Sequence, residues 1–69
     1  MKYNVGDILV DIRGKEKRFF LITERYVDGL EPAYYRVYIT PDQKEDVYSE
    51  GMINLYVDKH SFVHYPVKE

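Results

Sequence analysis

Arg13, Lys15, Lys17 and Arg18 fall within one short segment interrupted only by Gly14 and Glu16, and Phe19-Phe20 follows at once. That order could set four cations along a phosphate backbone and offer an aromatic face to an unpaired base, the combination that holds single-stranded nucleic acid. A solvated hairpin loop has the same composition, and the acidic stretch from Asp42 to Glu50 would repel a long duplex on a shared face. His60 and His64 are four apart, a spacing that places two imidazoles on one metal only when the segment is helical. On a strand the same spacing separates the rings by about 13 Å. The segment reads as a strand, and Asp58 is the one nearby carboxylate, so no metal site is expected. Ser49 and Ser61 lack a motif bringing a base and an orienting acid beside them, and Gly14-Lys15 lacks the rest of a phosphate-binding loop. Neither catalysis nor a cofactor is expected.

The eight tyrosines offer a different chemistry. Tyr34, Tyr38, Tyr48 and Tyr56 are the candidates for an outward aromatic set. A cation over such a ring gains about 0.5–2 kcal/mol, and Tyr is enriched in the cores of protein interfaces. The plainer alternative is a ring packed over a thin core with its hydroxyl in water. The leading functional expectation is a small non-enzymatic protein-interaction or assembly module that binds a protein partner or itself. The alternative is a nucleic-acid-binding accessory barrel using loop 13–18 and the aromatics beside it.

Strands must position all of these groups. Ile8, Val10 and Ile12 alternate with Leu9, Asp11 and Arg13, the period of a half-buried strand. The apolar set is expected inward, with Val5 ahead of it and a Gly6-Asp7 turn between. A charged loop precedes a second strand, Phe19 to Tyr26, apolar on both faces near its start. Asp28-Gly29 and Pro32 mark a loop. Tyr34 to Thr40 is a third strand with Tyr35, Val37 and Ile39 inward, Pro41-Asp42 opens a turn, and Asp46 to Ser49 is a short fourth strand. Alternation stops at Ser49. A capping residue ahead of a short run predicts one 3₁₀ turn over 49–54. Leu55 to Val57 is a fifth strand, Ser61 to Tyr65 a sixth at an edge, Pro66 stops it, and 66–69 are expected to fray. The expected core is Val5, Ile8, Val10, Phe20, Ile22, Tyr35, Val37, Ile39, Val47, Ile53, Leu55 and Val57.

The chain has 69 residues and no cysteine, so one domain must hold together without disulfides or thiolate metal sites. A domain of this size buries only about 60% of the surface its unfolded chain exposes. Net charge is −2, unlike the strongly basic domains dedicated to nucleic acid. The distribution is uneven: residues 1–25 carry six bases and four acids, residues 26–69 four bases and eight acids. No apolar run long enough for a signal peptide or a membrane span is visible. A cytoplasmic protein is expected, without a membrane partner.

Tyr3-x-Val5-Gly6-Asp7 resembles the opening of SH3-like barrels, including KOW-type and Tudor-like domains. Pro32-Ala33-Tyr34-Tyr35-Arg36-Val37-Tyr38, then Val47-Tyr48-Ser49-Glu50 and Ile53 to Leu55, is similar to small uncharacterised proteins of tailed phages. The resemblance covers about residues 3–57. The chain departs from the pattern in lacking a glycine at the start of the second strand and in its aromatic segment after Val57. The resemblance implies an all-β fold, a small SH3-like barrel of five or six short antiparallel strands with one 3₁₀ turn. It also implies a binding role, in the host cytoplasm or the virion.

Overall fold

A computed structural model describes residues 3–27, 29 and 32–68, with β1 at Ile8–Asp11, β2 at Arg18–Tyr26, β3 at Tyr34–Thr40, β4 at Lys44–Ser49, α1 at Glu50–Asp58 and β5 at Phe62–Tyr65. The β-branched and aromatic runs of β1, β2, β3 and β5 are bounded by turn residues. Asp28, half of the expected Asp28-Gly29 turn, lies outside the described residues. The five strands form one open antiparallel sheet in the order β4-β3-β2-β1-β5. A register shift between Ile22 and Glu24 leaves Thr23 as a bulge in the long central strand, which bends such a strand and increases its twist. No helix among the described residues is long and apolar enough to cross a membrane.

The inner face is set by β2 and β3. Phe20 and Ile22 stand opposite Ile39 and Val37, and all four are buried with Tyr35, Ile53, Tyr3, Ala33, Leu9 and Phe62. Pairing then dictates the phase of β1. Leu9 stands opposite Phe20 and is 1% exposed, while Ile8 stands opposite Leu21 and is 37% exposed. The expected phase of β1 is therefore reversed, because a one-residue change of phase sends every side chain to the other face. Asp11 shares the inner face with Leu9 and is buried. Among the other expected core residues, Val5, Val47 and Leu55 are exposed, Val57 is half-buried against the core, and Val10 is buried on the outer face. Tyr3, Leu9, Ala33 and Phe62 take their places.

The expected 3₁₀ turn and fifth strand are replaced by one nine-residue α-helix. Ser49 caps it, its hydroxyl accepting from the Met52 N–H at 3.2 Å. Ile53 is buried, and Tyr56 and Val57, three and four positions on, pack against the same core. A helix this short depends on that packing. Its end is closed by two bonds, His60 N–H to Val57 O at 3.0 Å and Ser61 N–H to Tyr56 O at 2.9 Å, with His60 at φ 61°. This is the Schellman arrangement, with histidine where glycine is usual.

Asp7 ties the two sides of the molecule together. Its fully buried carboxylate accepts from the Asn4 N–H at 3.0 Å, the Val67 N–H at 2.9 Å and the His64 ring nitrogen Nε2 at 2.7 Å. Burial opposes its ionisation, but the Val67 and Asn4 N–H groups and then the His64 ring outweigh it, so its pKa lies below the usual carboxylate value. Val67, in the segment expected to fray, is thus bonded to the turn before β1. Gly6 in that turn has φ 98°, and a Cβ there would come within 3.1 Å of the Val67 side chain; both facts favour glycine.

Candidate interaction surface

An antiparallel sheet covered on one side ordinarily shows polar side chains on the other. Here the rule holds over β3 and β4 apart from the exposed Val47 opposite Arg36, and fails over β2, β1 and β5. Pairing aligns Tyr38, Leu21, Ile8 and Tyr65 in one outward row across four strands, and Thr40, Phe19, Val10 and Val63 in the next. Phe19, Leu21, Ile8, Val63 and Tyr65 are all more than a third exposed. Val10 lies at the bottom of an open hollow of about 400 Å³ walled by Ile8, Lys17, Phe19 and Tyr65. The floor is apolar, and Lys17 is the one charged residue among the described residues that line it.

The far side of this face is polar and braced. Arg36 donates to Glu45 at 3.0 Å and to the Tyr26 hydroxyl at 3.1 Å, lies 3.6 Å from Glu24, and stands over the Tyr26 ring. Hydrogen bonding to Glu45, then to Tyr26, raises the guanidinium pKa above its already high value. The Tyr26 hydroxyl donates in turn to Glu24. Along β2 the outward side chains therefore run from Phe19 and Leu21 to Glu24, with Lys17 just ahead of the strand.

The four candidate tyrosines do not form one set. Tyr34 is exposed and Tyr38 half-buried on the outer face, with Tyr38 opposite Leu21 and Glu45. Tyr48 and Tyr56 are half-buried at the rim of the core. Tyr48 meets Phe20 edge-on at 5.8 Å, and Tyr56 lies 5.0 Å from Phe62. Burial raises the Tyr48 hydroxyl pKa.

The basic loop divides in the same way. Arg13 grips Asp11 through Nε at 3.1 Å, Nη2 at 3.0 Å and its own backbone N–H at 3.0 Å. Its guanidinium lies 5.1 Å from the Tyr56 ring centroid. Arg18 bonds Asp42 at 3.1 Å and Asp11 at 3.4 Å. The Arg13 side chain above all, against the opposing effect of burial, holds the Asp11 carboxyl at a pKa of about 2. Lys15 is exposed in the loop, and Lys17 lies on the other face beside the apolar hollow. The two arginines thus neutralise a buried carboxylate and cover aromatic edges, and the two lysines are left to the solvent.

His60 closes the helix and His64 bonds Asp7, so the two histidines have separate structural partners. Sequence reasoning passed over the outer positions Ile8 and Val10 by turning them inward, and it left Val63 and Tyr65 as an edge. The visible signal was the start of β2, where Phe19 and Leu21 are apolar on the face opposite Phe20 and Ile22. No family model, curated protein or solved structure matches the chain.

Proposed function

We propose that this protein is a small non-enzymatic binding module that docks a protein partner on the outer face of β2, β1 and β5. One observation carries the reading: in two adjacent rows on the face opposite the core, Ile8, Phe19, Leu21, Val63 and Tyr65 are exposed around a buried Val10. Contiguous exposed apolar patches larger than a few hundred Å² mark interaction sites. The sheet order and the long bulged β2 support an SH3-like reading of the fold, while the open sheet and the α-helix in place of a 3₁₀ turn depart from it. Such a fold hosts many binding roles without specifying one. A nucleic-acid role has less support, because Arg13 and Arg18 are already committed to Asp11 and Asp42.

The test compares native complex size in cells producing the chain with that in cells producing Leu21→Lys. The wild-type chain is expected in a larger complex, and the folded variant at a smaller size. Equal sizes would refute the reading. Titration with labelled single strand at low salt, where phosphate attraction is strongest, serves as the discriminating control.

A further inference from the structure

We infer that the occupant of this face is a second copy of the same chain, laid sheet to sheet with its β2 antiparallel to the first. The inference rests on the docking reading above and adds the identity of the partner. Its ground is the charge pattern on the outer face of β2. Lys17, the residue before β2, stands at one end, Phe19 and Leu21 in the middle, and Glu24, beside Arg36 of the same copy, toward the other end. Lys17 and Glu24 are about 20 Å apart along a strand of this length. Midway between them is the boundary between the Phe19 row and the Leu21 row.

A two-fold axis along that boundary, running across the strands, reverses strand direction between copies and keeps β2 over β2. It brings Lys17 of each copy to Glu24 of the other. It also sets the row of Tyr38, Leu21, Ile8 and Tyr65 on the row of Thr40, Phe19, Val10 and Val63. Ile8 of each copy then meets Val10 of the other, at the floor of the 400 Å³ hollow. An axis along the strands would instead bring Lys17 to Lys17, so charge selects the antiparallel arrangement. The face carries Lys17 and Arg36 against Glu24 and Glu45, which balance. A self-complementary patch of this kind is what an isologous dimer requires.

The five exposed side chains Ile8, Phe19, Leu21, Val63 and Tyr65 of each copy supply the contact, and a weak, reversible dimer needs roughly 1,000 Å² in total. Aligned sheets pack about 10 Å apart with their strands rotated by about 30°, a geometry that leaves Glu24 within reach of a lysine side chain.

Sedimentation of the purified chain across about 1–200 µM, the range in which a small reversible interface is sought, tests the inference. The expected mass rises from 8.3 kDa toward twice that value. Leu21→Lys should weaken association at least tenfold. Lys17→Glu should weaken it several-fold, and the double variant Lys17→Glu/Glu24→Lys should recover it. These are surface positions, and circular dichroism checks that each variant folds. A chain that stays monomeric throughout overturns the inference, even if the complex in cells remains large and the docking reading survives. A dimer indifferent to Lys17→Glu, or one that the double variant fails to restore, overturns the antiparallel arrangement.

Discussion

The buried carboxylate of Asp7 lies 2.7 Å from Nε2 of His64, fifty-seven positions away, and joins the turn before β1 to β5. The same carboxylate holds the Val67 N–H, so one side chain fixes two distant segments. Removing its charge while keeping its shape isolates that role. Asp7→Asn should cost about 1–3 kcal/mol, the scale for weakening hydrogen bonds to a buried charged group. Urea unfolding measures it, and a change below about 0.5 kcal/mol, within the scatter of ordinary surface substitutions, would contradict the role.

Asp11 supplies a pH dependence whose direction follows from its partners. Its folded pKa of about 2 lies below the usual value near 3.9 in an unfolded chain. The unfolded state therefore binds the proton more readily. The stabilisation is fully present above about pH 5 and is lost as pH falls through 4 toward 2. Arg13 and Arg18 are each partly open to solvent, so screening reduces the contribution to about 1–2 kcal/mol. Denaturant midpoints measured from pH 6 to pH 2 should show the decline. Asp11→Asn should make the decline shallower, leaving the part due to Asp7; an unchanged slope would contradict the assignment.

His60 occupies the left-handed position that closes α1. A residue with a Cβ costs roughly 1–2 kcal/mol in that conformation, a strain glycine escapes. His60→Gly should therefore raise stability by about 0.5–1 kcal/mol, after the entropy that glycine loses on folding. A fall in the thermal midpoint would show that the His60 side chain supports the fold in some other way.

Val37 and Leu21 are both apolar residues of central strands, on opposite faces of the sheet. Val37 is 1% exposed and Leu21 39% exposed. Val37→Ala should cost about 2–3 kcal/mol through lost burial and a cavity. Leu21→Ala, measured at concentrations where the chain is monomeric, should cost well under 1 kcal/mol. Equal losses would mean that the outer face is as structural as the inner one.

The boundaries of β2 and β3 were legible because aromatic and β-branched residues run between clear turn signals. The inward set Phe20, Ile22, Tyr35, Val37, Ile39 and Ile53 was legible for the same reason. The phase of β1 was not, since alternation favours burying Ile8, Val10 and Ile12 over a strand face carrying Asp11. Burial of Asp11 becomes tolerable only when Arg13 and Arg18 reach it, and that depends on the turn of the loop in space. The helix was hidden for a related reason. Ile53, Tyr56 and Val57 make a single apolar contact patch within nine residues, and packing rather than intrinsic preference forms it. Of the candidate site, Phe19 and Leu21 were visible as an unexplained second apolar face on β2. Their neighbours Ile8, Val10, Val63 and Tyr65 required the pairing of β1 with β2 and β5.

Hydroxyl-radical footprinting of the native assembly, compared with the dilute isolated chain, tests the outer face most directly. Phe19, Leu21 and Tyr65 should lose reactivity in the assembly, while Met52 and Leu55, exposed on the helix, should keep theirs. Equal labelling of Phe19, Leu21 and Tyr65 in both states would contradict a working interaction surface on β2, β1 and β5.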